Sequence, residues 1–344
     1  MFQALLDRTL ESIGALTRHV EFCDALRSTI NGRLVRCNRD GKPCFDVSVL
    51  YDRVPDSTEW KVIDHCSTVT RLYAIYERFI RELLAGYLTF IEGNIPYRDL
   101  DSKIRIAYRR QIGRILIDLD QDRYQSLRLE SIVADLSNGI NGSGPYRLLP
   151  EAMLAHDQNL RLNELITIFD RCGIDELASW IARHRTLRDF FRAESRQSDT
   201  AEAELKQLVD FRNEASHGGI EIDTVLGPKI LVEYLEFMQA LCRSLAERVQ
   251  KAALITSEIA KKTEKLGIIT EKYSDNRAVA IIRAATLRQN DSIYLVGETY
   301  CYRVVVVSLM DNDVVVETLT TLEDKEVGLQ FNTEPAMRAH LYAI

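Results

Sequence analysis

A helical segment in the second half of the chain carries an arginine and a histidine five positions apart. Within LKQLVDFRNEASHGG, residues 205–219, an apolar stripe runs from Leu205 to Val209 and then reaches Arg212. A guanidinium is almost never buried without a partner, so Arg212 either points into an interface or is held by an acidic group. His217 lies in the last turn before two glycines, where the helix dipole favours an imidazolium.

An arginine and a histidine together suit cleavage of an RNA phosphodiester without a metal. The arginine holds a phosphate through its bidentate fork, and the histidine moves a proton from the ribose 2′-OH or to the leaving oxygen. Asn213 shares a helix face with His217 and could orient the imidazole. Because Arg212 and His217 lie roughly 140° apart on a regular helix, they converge on one phosphate only if the helix end unwinds or a second copy completes the site. The alternative is that Arg212 pairs with a carboxylate and His217 only caps the helix.

A carboxylate on an earlier helix is a candidate supporting residue. Glu77 lies on the apolar stripe between Tyr73 and Ile80. A buried carboxylate there needs a partner, and Arg212 is the candidate. This interpretation predicts that Glu77→Ala lowers thermal stability and activity together, whereas a slightly rotated, exposed Glu77 predicts no change in either.

Two arginine-rich segments, around residues 103–114 and 183–192, are candidate RNA-binding surfaces. Either could follow an RNA backbone, and Phe190 and Phe191 in the second are available for base stacking. The alternative for each is an ordinary solvated helix face. The residues predicted to contact RNA are Arg109, Arg110 and Arg188.

Composition limits the classes of protein that remain. The chain has 344 residues, of which 46% are apolar and 28% charged, so it is an ordinary globular sequence. Its net charge of -7 excludes a general nucleic-acid coat, and any RNA contact must be local. We expect no export signal and no membrane span, because the most apolar stretch, 302–310, is too short to cross a bilayer.

The cysteines and histidines suggest neither disulfides nor a metal. The seven cysteines include no CxxC pair and fit the reduced thiols of a cytoplasmic protein. His156 and His184 have no cysteine or histidine at ligand spacing, so we predict no structural zinc and no cofactor. His65 and Cys66, adjacent on a long helix, are expected to serve the core rather than to form a catalytic dyad.

The apolar periodicity divides the chain into three parts. A helix and a β-hairpin turning at 38–41 are predicted for residues 1–54, and a helical domain with a long first helix for 55–270. From about residue 278 the period changes to two, which predicts a small acidic β-barrel-like domain over 276–344. The predicted fold is mainly α, with α+β character overall.

The motif and two flanking segments resemble a known superfamily. Residues 212–218, RNEASHG, match the R-x4–6-H motif with a polar residue after the arginine. Residues 71–87 are similar to a first long helix, and 159–174 to the middle of the domain. Over about residues 55–250 the chain therefore resembles the HEPN superfamily, in particular the prokaryotic subgroup of RNase toxins and defence loci.

The resemblance implies a bundle of helices that dimerises, so that two motifs form one composite cleft for metal-independent RNA cleavage. It assigns phosphate binding and transition-state stabilisation to Arg212, proton transfer to His217 and polar support to Asn213. The acidic Glu214 beside the motif departs from what a phosphate site would favour. The implied partners are RNA (tRNA or mRNA), a second copy or higher oligomer, and an antitoxin or defence protein. The alternative is a non-catalytic HEPN scaffold that binds a nucleotide or a partner protein.

Overall fold

A computed structural model describes residues 2–31, 53–156, 158–192, 199–217, 224–273 and 276–343. For two helix-terminal residues, Asn31 and His217, it describes the backbone alone. The β-hairpin predicted near 38–41 lies outside the described residues.

Helices occupy the described chain up to residue 259. Two single turns of 3-10 helix, Tyr97–Asp99 and Asp122–Tyr124, connect some of them. The α-helices are α1 (Gln3–Asn31), α2 (Ser57–Glu92), α3 (Ser102–Ile117), α4 (Leu129–Asn141), α5 (Pro150–Met153), α6 (Leu162–Arg171), α7 (Leu177–Arg183), α8 (Arg185–Arg192), α9 (Ala201–His217) and α10 (Pro228–Ile259).

Helix α2 is the centre of the helical domain. Its first turn is capped by Asp56, whose carboxylate accepts hydrogen bonds from the backbone N–H groups of Thr58 and Glu59. Buried residues recur along most of its length and pack against α1, α9 and α10. Helix α2 therefore packs directly against α9, the helix that carries Arg212, and helps to position that residue.

The N-terminal helix is part of this core rather than a separate extension. Ile13 and Val20 of α1 are buried in the same cluster as the apolar face of α2. Farther along, the buried Arg27 donates to Asp64 of α2 at 2.6 Å. The predicted unit 1–54 therefore contributes at least its helix to the helical domain.

The C-terminal part is a closed β-barrel-like sheet. The strands are β1 (Lys265–Lys272), β2 (Arg277–Ile282), β3 (Thr286–Arg288), β4 (Ser292–Val296), β5 (Cys301–Asp311), β6 (Val314–Val316), β7 (Thr318–Thr320), β8 (Lys325–Phe331) and β9 (His340–Ala343). The strand order is β4-β9-β1-β2-β8-β5-β6, and pairing of β4 with β5 closes the sheet, while β3 and β7 form a separate pair.

The predicted fold class, helical with a small β domain, is confirmed, but the domain boundary is earlier than predicted. Strand β1 pairs with both β2 and β9, so residues 265–272 belong to the barrel and not to the helical domain. Lysines and glutamates in and just before β1 interrupt its apolar alternation, so the sequence predicts a polar continuation of the preceding helix there. The connection is the short stretch 260–264, directly after α10.

The barrel contacts α8 and α10 around the largely buried carboxylate of Glu247, whose side chain is 12% exposed. Glu247 of α10 accepts a hydrogen bond from the backbone N–H of Cys301 at 2.8 Å and contacts Arg185 at 3.0 Å and His184 at 3.2 Å. The Arg185 guanidinium also lies 4.0 Å from the ring centroid of Tyr302. Among the described residues, no helix combines the length and apolar character needed to cross a bilayer.

Candidate active site

Helix α9 holds the arginine motif against α2. Its buried Leu208 and Val209 anchor the preceding turn in the core. Phe211, next to the motif arginine, packs edge-on against His65 of α2, with ring centroids 5.7 Å apart. His65 is fully buried, burial lowers its pKa, and its Nδ1 accepts a hydrogen bond from the backbone N–H of Leu226. The expected core role of His65 matches this environment.

Arg212 is half-buried and is held by neutral groups. Its guanidinium lies 4.7 Å from the ring centroid of Tyr73, a cation–π contact. Its Nη1 donates to Oδ1 of Asn159 at 3.2 Å and to Oδ1 of Asn213 at 3.1 Å. Within the described part of the chain, Arg212 forms no ion pair with a carboxylate. It therefore has a fixed orientation and an unneutralised charge.

Asn159 links three parts of this site. Its Oδ1 accepts from Arg212, and its Nδ2 donates to Oδ1 of Asn213 at 3.0 Å. The segment that carries it is fixed to α2, because the backbone N–H of Leu160 donates to the Tyr73 hydroxyl at 2.9 Å. Although residues 159–174 contributed to the family resemblance, the sequence did not indicate Asn159 as a site residue. An asparagine in a loop, 53 residues before its arginine partner, has no spacing that would identify it.

The surrounding charges leave Arg212 free to meet an anion. Burial raises the pKa of Tyr73, so its hydroxyl stays protonated and neutral at neutral pH. The nearby carboxylate of Asp210 is engaged by Arg161. The groups in direct contact with Arg212 are neutral, so its charge remains available to attract a phosphate.

The structure shows the side-chain contacts of Asn213 but only the backbone of His217. The described hydrogen bonds of Asn213 go to Asn159 and Arg212, so its carbonyl oxygen orients the guanidinium. The predicted role of Asn213 in orienting the imidazole stays a prediction, because the side chain of His217 lies outside the described atoms. The α9 backbone does extend as a regular helix to His217, as the sequence predicted.

The predicted pairing of Glu77 with Arg212 is wrong in this structure. Glu77 is half-buried, and its Oε1 lies 4.0 Å from Nε2 of His156. Arg212 is satisfied by two amide oxygens instead. Both side chains flank Tyr73, where Glu77 acts to raise the pKa of the phenol and Arg212 to lower it.

The second arginine-rich segment serves mainly as a domain interface. Arg183 pairs with Glu298 of the barrel, and Arg185 pairs with Glu247. Phe190 is buried against Phe237, with centroids 5.7 Å apart, so the prediction that it is available for base stacking is wrong. The candidate RNA contacts Arg109, Arg110 and Arg188 are all exposed.

No cluster of metal-binding side chains surrounds Arg212 within the described ranges. A group of three side chains that could bind a metal does occur elsewhere in the described ranges. It consists of His19 and Cys23 of α1 and Asp64 near the start of α2. The chemistry available at Arg212 is therefore that of a fixed cation beside neutral amides and a phenol.

Comparison with known proteins identifies the class. Residues 46–251 match the family described as RiboL-PSP-HEPN, which is well over half of the chain. This chain belongs to that HEPN family. HEPN domains are frequently ribonucleases, often bind RNA and often dimerise.

Other comparisons add little. No curated protein matches the chain. Two solved structures of the C-terminal domain of a putative U32 peptidase from Geobacillus thermoleovorans, one of them a selenomethionine variant, align with about a quarter of the chain. The first has 16% identity and a TM-score of 0.21, covering 23% of this chain and 90% of that domain. The variant has 15% identity and the same TM-score, covering 24% and 99%.

Proposed function

We propose that this protein is an endoribonuclease of the HEPN type that cleaves RNA without a metal, using Arg212 and His217. The observation that carries the proposal is the setting of Arg212. Its guanidinium is fixed by two asparagine oxygens and an aromatic face, with no carboxylate partner among the described residues. A cation needed only for stability would gain more from a carboxylate, whereas one that receives a phosphate must remain unneutralised.

The proposed reaction uses the RNA's own hydroxyl as nucleophile. His217 takes the proton from the ribose 2′-OH, and the 2′-oxygen attacks the adjacent phosphorus. The bond from phosphorus to the 5′-oxygen breaks, and a proton from an imidazolium goes to that leaving oxygen. The products are a 2′,3′-cyclic phosphate and a free 5′-OH, so no water or metal is consumed in this step. Arg212 stabilises the negative charge on the phosphate oxygens.

Two histidines suit this reaction better than one, because a base and an acid act on opposite sides of the phosphorus. A homodimer or higher oligomer that brings two motifs together supplies both. Asn213 and Asn159 hold each guanidinium in place from within one chain. Activity of this kind harms the cell that makes it, which fits a toxin or an anti-phage effector that an antitoxin or partner protein restrains in the cytoplasm.

The test is cleavage of total RNA and tRNA in EDTA by the wild-type protein and by Arg212→Ala/His217→Ala. Arg81→Ala is the matched control, because it removes an exposed arginine of α2 that lies outside both predicted RNA-binding segments. We expect the wild type and the control to cleave the RNA and to leave cyclic phosphate ends on the products. We expect no cleavage by the double variant.

Growth of the expressing host is a second readout for a protein that needs an activator. Toxicity of the wild type that the double variant lacks supports the enzyme. Absence of both cleavage and toxicity contradicts it and favours a scaffold that binds a nucleotide or a protein. Cleavage retained by the double variant contradicts the assignment of the site.

A further inference from the structure

Three side chains with metal-ligand chemistry meet where α1 crosses α2. His19 and Cys23 are four residues apart on α1, and Asp64 lies opposite on α2. One ligand atom from each lies within 4.8 Å of the others, and Cys23 Sγ is 3.7 Å from His19 Nε2. In tetrahedral zinc coordination, bonds of about 2.0 Å to nitrogen and about 2.3 Å to sulfur put these two atoms about 3.5 Å apart. The observed separation matches that spacing.

The Cys23 thiol lies beside the carboxylate that would share the metal. A carboxylate oxygen of Asp64 lies within 4.8 Å of Cys23 Sγ, and burial together with that carboxylate raises the pKa of the thiol. A zinc ion bound here would release the thiol proton to solvent and take Cys23 Sγ and an Asp64 carboxylate oxygen as ligands. Arg27 donates to Oδ2 of Asp64 at 2.6 Å, and a carboxylate so held can bind a metal through its other oxygen.

The local charge favours such an exchange. Arg27 contacts two carboxylates, Asp64 and Asp24 at 3.1 Å, so this group of side chains carries one net negative charge when Cys23 is a thiol. A divalent cation bound by a thiolate brings the group to neutrality. Asp64 and Cys23 are buried, whereas His19 is exposed and provides a path for the ion. Buried charges are stable when they are paired or bound to metal.

We propose that His19, Cys23 and Asp64 form a zinc site, with water as the fourth ligand, that fastens the N-terminal helix to the HEPN domain. Asp64 precedes Tyr73 by nine residues on α2, about 13 Å along the helix axis. The metal therefore acts on the attachment of α1 and takes no part in the chemistry at Arg212. This site differs from the sequence prediction of no metal, which rests on His156 and His184 and not on the His-x3-Cys spacing of α1.

The experiment titrates the metal-free, reduced full-length protein with Zn²⁺ against a chromophoric chelator. The variants are Cys23→Ser and His19→Gln, and Cys66→Ser is the matched control, because Cys66 is a partly exposed thiol on α2. We expect one Zn²⁺ per chain for the wild type and the control, and binding at least about tenfold weaker in each ligand variant. Zn²⁺ should raise the unfolding temperature of the wild type and the control alone.

Co²⁺ provides an independent spectroscopic readout. We expect a thiolate-to-cobalt charge-transfer band and the strong visible absorption of a tetrahedral site, both absent in Cys23→Ser. The exposed His19→Gln variant keeps the test valid even if Cys23→Ser folds poorly. Saturable Zn²⁺ binding that persists in both ligand variants, or no binding by the wild type at micromolar Zn²⁺, overturns the proposal. Neither result depends on RNA cleavage, so the two proposals fail separately.

Discussion

Replacing Asn159 by aspartate tests whether the free charge of Arg212 is what the site uses. The substitution preserves the shape of the side chain and an oxygen 3.2 Å from Nη1 of Arg212. It adds one negative charge next to the guanidinium. If the Asn213 amide rotates so that it donates to residue 159, Arg212 exchanges the neutral acceptor on Asn213 for the charged oxygen of Asp at position 159. The main change is therefore electrostatic.

The magnitude follows from the geometry. Two unit charges 3.2 Å apart attract by about 5 kcal/mol at an effective dielectric constant of 20. Arg212 is half-buried, so solvent screens part of this attraction and about 1–3 kcal/mol remains. An RNA phosphate must compete with that internal pair. We expect kcat/KM for RNA cleavage to fall by roughly 5- to 150-fold.

Asn159→Ala is the matched control. It removes a hydrogen bond to a charged group and lowers stability by roughly 1.5–3 kcal/mol, but leaves Arg212 without an acidic partner. The two variants should therefore rank in opposite orders. In thermal unfolding, Asn159→Asp is the more stable, and in cleavage or in low-salt RNA binding, Asn159→Ala is the more active.

The reasoning is refuted if Asn159→Asp cleaves RNA as well as the wild type, or better than Asn159→Ala while folding normally. That result would mean that the charge of Arg212 is not presented to the substrate. A loss of activity in both variants in proportion to a loss of helix content would indicate a purely structural asparagine.

Three further predictions concern stability. Glu247→Ala removes the carboxylate that binds both Arg185 and the backbone N–H of Cys301 in the barrel. We expect the free energy of unfolding, measured with denaturant, to fall by about 3 kcal/mol or more. A decrease below about 1 kcal/mol would contradict this role. Burial lowers the pKa of His65 below its ordinary value of 6.5, so the unfolded chain binds the proton more readily than the folded protein. We therefore expect the unfolding temperature to drop as pH falls below about 6.5, and to drop less in His65→Asn. Equal pH profiles of the unfolding temperature in the two proteins would rule this out. Glu77→Ala breaks a half-exposed 4.0 Å contact with His156, so we expect less than about 1 kcal/mol of destabilisation and near-normal cleavage. A large loss of both stability and cleavage would instead support pairing of Glu77 with Arg212.

Much of the fold can be predicted from local pattern. The 3.6-residue periodicity of α2 and α10 predicts long helices because one face of each must be buried. The switch to period two near residue 278 predicts the β domain for the same reason. The same pattern does not predict the start of β1, because a strand with lysines and a glutamate at its ends shows no clear alternation on its own.

The sequence by itself determined the helical class, the β domain and the position of Arg212 at the end of a helix, because these depend on residues close together in the chain. Only the tertiary structure decided which groups surround Arg212, since Asn159 and Tyr73 reach it from distant segments. It also decided that Arg185 serves the barrel interface and that Asp64 meets the His-x3-Cys pair of α1. Such contacts depend on how the helices pack against one another. Residues that meet only through this packing have no regular spacing in the sequence, so the sequence pattern does not reveal them.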